Sequence, residues 1–112
     1  MERLRVGVLI SGRGSNLQAL IDAAADPAYP AEIVTVISNR VGAAGLVRAA
    51  SSGIANLVIA ETDRAAFAAA ADRVLREARV GLVALAGFMR LLDSGFVAAW
   101  TDRMVNIHPS LL

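Results

Sequence analysis

The chain has 112 residues, with eleven Lys and Arg against ten Asp and Glu for a formal net charge of +1, one histidine and no cysteine. That length admits one domain with one modest core. The balance gives no basic stripe for nucleic acid and no polybasic patch for a membrane. It excludes a disulfide framework and argues against a zinc site made by this chain alone. The apolar share is 56% and the mean hydropathy +0.57, high for so small a domain even with much of it alanine, which suggests apolar surface that something else covers.

The predicted elements alternate between strand and helix. Leu4 to Ile10 is a short run rich in Val, Leu and Ile with the signature of a buried strand. Its core, Val6 to Ile10, is too short for a secretion signal, and Ser11-Gly12-Arg13 follows in place of a cleavage site. Asn16 to Ala25 puts Leu17, Leu20, Ile21 and Ala24 on one helical face, and Pro27 and Pro30 bracket the next loop. Ile33 to Ile37 is a second strand. Ala43 to Ser52 reads as a helix with Leu46, Val47 and Ala50 inward and Gly53 ending it. Leu57 to Ile59 is a third strand. Arg64 to Arg79 is the clearest helix, with Phe67, Ala71, Val74, Leu75 and Ala78 on one side and Thr62 or Asp63 as its cap. Leu82 to Ala86 is a fourth strand, Asp93 to Trp100 a short helix, and Met104 to His108 a fifth strand stopped by Pro109. The longest uncharged apolar run, Val80 to Met89, is about ten residues where a membrane span needs about 20, so a soluble cytoplasmic protein is expected.

Alternating helices and nearly all-apolar strands imply an α/β fold: a Rossmann-like parallel sheet with helices on both faces. Such sheets bind ligands at the carboxyl ends of their strands. Ser11 to Leu17 joins the first strand to the first helix there. Its glycines let the backbone turn tightly, and the amides at the helix start favour an anion, with Ser15 as the cap. The dinucleotide pattern is incomplete, because Leu17 stands at the third glycine and Ser38-Asn39-Arg40 offers no acid for a ribose. No Gly-Lys-Ser/Thr follows to make a P-loop. A single terminal phosphate suits the loop best, and the alternative is an ordinary tight turn.

Asn106 and His108 lie two apart on the fifth strand and so project together, with Ile107 turned away and Pro109 holding the backbone extended. An amide can stabilise an oxyanion and an imidazole can move the proton of an attacking amine, which suits acyl or formyl transfer. The alternative is a histidine bonded to backbone beside a turn-forming asparagine. Leu85 to Leu92 reads either as core packing with one solvated arginine or as an apolar slot for a flat ring.

Ser11 to Ala19, Leu85 to Arg90 and Asn106 to Leu112 together resemble the phosphoribosylglycinamide formyltransferases, a family of folate-dependent formyltransferases, in wording, order and spacing. The resemblance runs over the whole chain. It implies transfer of a formyl group from 10-formyltetrahydrofolate to the amine of glycinamide ribonucleotide in purine biosynthesis, with no metal, nucleic acid or membrane involved. Gly14, Ser15 and Asn16 would hold the substrate phosphate. Met89, Arg90, Leu91, Leu92 and Asn106 would contact the folate, with Phe88 and Val97 shaping the wall and Arg64 a further contact in a more variable segment. Asn106 would also orient the formyl oxygen, and His108 would act as general acid. Methionyl-tRNA formyltransferase and formyltetrahydrofolate deformylase share the Asn-x-His-Pro strand, but the Gly14-Ser15-Asn16 loop points away from both.

In that family the domain continues past this strand and supplies an aspartate that pairs with the histidine. Residues 1–112 are therefore expected to be the N-terminal part of a single formyltransferase domain, cut after an exposed fifth strand and weakly active alone. Its expected partner is the second half of the domain or a second copy of the chain. The rival from another class is a non-catalytic module that binds a phosphorylated metabolite through Gly12 to Asn16.

Overall fold

Apolar runs and amphipathic stretches become, in strict alternation, β1 (Leu4–Ile10), α1 (Ser15–Ala24), β2 (Ala31–Ser38), α2 (Ala44–Ser51), β3 (Asn56–Val58), α3 (Arg64–Glu77), β4 (Leu82–Leu85), α4 (Ser94–Ala99) and β5 (Met104–Asn106). The computed structural model describes residues 2–107. The strands form one sheet in the order β3-β2-β1-β4-β5, and every adjacent pair is parallel. The chain winds outward from β1 through β2 to β3, then returns through α3 to lay β4 on the other side of β1. The doubly wound architecture expected from the sequence is the one adopted.

Strand alternation divides the core in two. Val6, Val8 and Ile10 of β1, with Val36 and Ala84, pack against Leu17, Leu20 and Ile21 of α1 and Ala49 of α2. Leu9, Ile37 and Val83 pack the other way, against Phe67, Ala71 and Leu75 of α3 and Phe96 and Trp100 at α4. Each fully buried Leu, Ile or Phe contributes about 1.5–3 kcal/mol before the entropy of ordering it is counted. The edge strands are less covered: Val105 of β5 and Asn56 of β3 are exposed.

Two local expectations need correction, and a third falls partly outside the described residues. The inward face of α2 is Gly45 and Ala49, whereas Val47 and Ala50 are exposed. The cause is a close approach. A Cβ on Gly45 would stand 2.5 Å from Ile10 Cδ1, so α2 sits too near the sheet for a larger inward side chain. Ser15 does not cap α1: it is the first helical residue, and Gly14 occupies the N-cap in the left-handed conformation, with φ of 80°. Finally, β5 is described as a strand only to Asn106, and His108 lies outside the described residues. The other caps follow the sequence. Asp63 accepts the Ala66 N–H at 2.9 Å, and Gly53 turns the chain out of α2 with φ of 71°.

Two side-chain knots fix the helices. Arg5 donates to the Ala78 carbonyl through Nε and Nη2 (3.0 and 2.8 Å), satisfying the carboxyl end of α3. Trp100 is 1% exposed, and its Nε1 donates to Asp72 Oδ1 at 3.0 Å, tying α4 to α3 just before β5 begins. Among the described residues no helix is long and apolar enough to cross a membrane.

Candidate functional site

Because β2 and β4 flank β1 on opposite sides, the loops leaving β1 and β4 diverge to opposite faces and open a crevice at their carboxyl ends. Doubly wound sheets bind ligands at this switch point. A cleft of about 490 Å³ occupies it, lined by Ser11 to Asn16 from the β1 loop, Ala86, Gly87 and Met89 from the β4 loop, and Arg40 after β2. A smaller hollow of about 280 Å³, lined by Arg3, Glu32 and Ile54 among others, lies at the amino-terminal end of the sheet.

The glycine loop is built to present amides. Its carbonyls are engaged one after another: Gly12 accepts the Gly45 N–H at 3.2 Å, Arg13 accepts Arg48 Nε at 2.8 Å, and Gly14 accepts the Gln18 N–H at 2.7 Å. The last of these is the first bond of the α1 ladder, so the amides of Ser15 and Asn16 precede it. The N-terminal dipole adds a positive potential there. Arg13 and Arg40, both exposed, also line this cleft. The sequence reading passed over both. The signal for Arg40 was its place at the carboxyl end of β2, the neighbour of β1.

Gly14, Ser15 and Asn16 all line this cleft. Gly14 is required by its φ and by packing together: a Cβ there would lie 2.6 Å from Gly45 Cα. The backbone of α2 thus rests on the glycine loop itself.

The β4 loop forms the other wall, and its residues divide. Phe88 and Leu92 pack inward against the α3/α4 core, Phe88 with its ring stacked 5.5 Å from that of Phe67. Met89 and Leu91 point outward, 78% and 75% exposed, and Val97 of α4 is also exposed. Of these only Met89 lines the cleft, and a bare apolar side chain at its wall suits a flat ring. Arg90 is not simply solvated. Its Nη1 and Nη2 donate to the carbonyls of Glu61 and Thr62 at 2.7 and 2.8 Å, and its guanidinium lies 5.3 Å from the Phe67 ring centroid. It therefore secures the loop leading into α3, where exposed Arg64 stands two residues beyond Thr62.

Asn106 ends β5, paired with Leu85 at the end of β4. Met104 packs on the α3/α4 side and Ile107 on the α1/α2 side, so alternation puts Asn106 on the side of α3 and α4. The three singled-out segments thus leave three adjacent strands, β1, β4 and β5, at one edge of the sheet. Among the described residues no group of three or more His, Cys, Asp and Glu stands together as a metal site.

Comparison with known proteins follows the same lines. The family model described as formyl transferase matches residues 4–112. The chain is 56% identical, over 115 residues, to the trifunctional purine biosynthetic protein adenosine-3 of Drosophila melanogaster, covering 98% of this chain and 8% of that protein. It is 41% identical over 112 residues to the phosphoribosylglycinamide formyltransferase of Escherichia coli (strain K12), covering 97% of this chain and 53% of that one. Among solved structures, the phosphoribosylglycinamide formyltransferase from Brucella melitensis superposes with a TM-score of 0.89 at 42% identity, over 96% of this chain and 57% of that one. The chain spans about half the length of these single-activity relatives.

Proposed function

The chain belongs to the formyl transferase family, and from that premise we propose that it works in the transfer of a formyl group from 10-formyltetrahydrofolate to the amine of glycinamide ribonucleotide. The Escherichia coli and Brucella melitensis relatives are phosphoribosylglycinamide formyltransferases by name, and the Drosophila melanogaster relative is a purine biosynthetic protein; the site of this chain suits the same chemistry. The observation that carries it is one cleft lined by the glycine loop and by Ala86, Gly87 and Met89 of the β4 loop, with Asn106 ending the strand next to β4. Residues 1–112 are read as the N-terminal part of one formyltransferase domain, in keeping with their 53% share of the Escherichia coli relative.

In this reading the phosphate of glycinamide ribonucleotide sits on Gly14, Ser15 and Asn16. The amides that precede the α1 ladder donate to it, and Arg13 and Arg40 add charge. A helix N-terminus favours an anion by about 0.3–1 kcal/mol at an exposed site and up to about 2 when partly buried. The folate lies along residues 89–92, with Met89, Leu91 and Val97 offering apolar contact to its ring and Arg64 a cation to its carboxylates. Arg90 and Leu92 hold that wall in place.

Transfer forms a bond from the substrate nitrogen to the formyl carbon and breaks the bond from that carbon to the folate nitrogen. The attacking amine loses a proton and the departing nitrogen gains one. Asn106 steadies the charge that builds on the formyl oxygen. His108, outside the described residues, is assigned the proton delivery.

Two measurements test the reading. Titration calorimetry of the purified protein should show binding of both glycinamide ribonucleotide and 10-formyltetrahydrofolate. Asn106→Ala and His108→Ala in the full-length protein should each lower kcat by about 100-fold, the effect of losing one oxyanion donor or one general acid, with nucleotide binding retained. Nucleotide binding with turnover indifferent to both substitutions would leave a binding module and end the enzyme proposal.

A further inference from the structure

Ser11 follows the central strand β1 and has no part in the roles assigned above. It is 1% exposed, and its Oγ accepts the Met89 N–H at 2.7 Å. The ladder between β1 and β4 ends with the Ala86 N–H on the Leu9 carbonyl at 3.0 Å, and the chain then swings away at Gly87, whose φ is 71°. The serine hydroxyl therefore continues the β1–β4 pairing beyond the last rung, across the floor of the cleft. The β4 loop has a second tether in Arg90. The glycine loop has separate anchors on α2, through Gly45 and Arg48, and these do not involve the Ser11 side chain.

We propose that Ser11 is a positioning residue for the folate-type donor: its hydroxyl sets the backbone of residues 87–92 at a fixed spacing from the glycine loop, so that the two ligands meet. This rests on the functional reading above and deepens it. The chemistry is one of geometry. A backbone held by a hydroxyl on a central strand moves little, whereas a misplacement of about 1 Å can cost about 100-fold in a transfer reaction.

Ser11→Ala removes one hydroxyl and leaves the Met89 amide without its acceptor. Calorimetric affinity for 10-formyltetrahydrofolate should fall about tenfold, the size of one buried hydrogen bond left unmade, while affinity for glycinamide ribonucleotide stays within about twofold. Hydrogen exchange at the Met89 amide should accelerate more than at Gly45 or Gln18. A purely structural role would lower both affinities together, and that result would overturn the proposal. So would an unchanged folate affinity, or a Met89 amide as protected in the variant as in the wild type. A wild-type protein with no folate affinity would instead refute the functional reading, before any variant is made.

Discussion

Replacing Gly14 by Ala perturbs two things at once, and glycines nearby separate them. The backbone at Gly14 has φ of 80°, where a side chain costs about 1–2 kcal/mol. Its Cβ would also stand 2.6 Å from Gly45 Cα and 3.2 Å from Arg48 Cδ. The first contact is with backbone, so no rotamer change relieves it and α2 must retreat from the sheet. Overpacking of that kind costs about 1–3 kcal/mol. The sum, about 2–5 kcal/mol, is a large share of the 5–15 kcal/mol typical of a domain's total stability. Gly42→Ala isolates the first cost, because φ there is 76° and a Cβ meets no heavy atom within 4 Å. Gly12→Ala meets nothing either and has no positive φ to penalise it. Urea unfolding of the three variants should give losses of about 2–5, about 1–2 and about 0 kcal/mol in that order, at unchanged m value. A Gly14→Ala variant no less stable than Gly42→Ala would refute the argument that α2 rests on the glycine loop.

Two further substitutions probe the supports of the cleft. Asp72→Ala leaves the buried Trp100 Nε1 without an acceptor and should cost about 1–3 kcal/mol in urea unfolding, whereas Asp72→Asn, which keeps a carbonyl, should recover most of it. Equal losses would shift the weight to the half-exposed Arg76–Asp72 pair, from which a surface site yields only about 0–1 kcal/mol. Arg90→Met should speed amide exchange in the loop before α3 and weaken 10-formyltetrahydrofolate binding with little change in melting temperature. Arg90→Lys should not rescue it, because an ammonium does not reproduce the fork that spans the Glu61 and Thr62 carbonyls. Rescue by lysine would mean that charge, and not the tether, is what matters at this position.

The elements were legible in the sequence because their burial is. Strands covered on both faces must be apolar where they are buried, and Val6 to Ile10 of β1 and all of β4 read that way from composition alone. Asp63 before α3 and Gly53 after α2 are punctuation whose physics is local, and both stand where expected. The order β3-β2-β1-β4-β5 is different in kind. It depends on which side of β1 the chain returns to after α3, and no local pattern encodes that. Yet that return creates the switch point, and brings residues 11–16 to one cleft with Ala86, Gly87 and Met89.

The misread face of α2 shows where periodicity fails and why. A helical wheel rewards large apolar side chains, so Leu46, Val47 and Ala50 looked inward. A helix pressed close to its sheet reverses the rule, since the smallest residues must face the contact. Gly45 and Ala49 do so here, and Val47 is left 67% exposed. The consequence reaches the site. Only because α2 comes that near can the Gly45 N–H take the Gly12 carbonyl and Arg48 take that of Arg13. Those bonds engage the loop's negative ends and leave its amides to the cleft. The glycines of the loop looked like a phosphate signature read directly from sequence. In the fold, Gly14 is fixed by the helix behind it, and the anion preference proposed for the loop would follow from that packing.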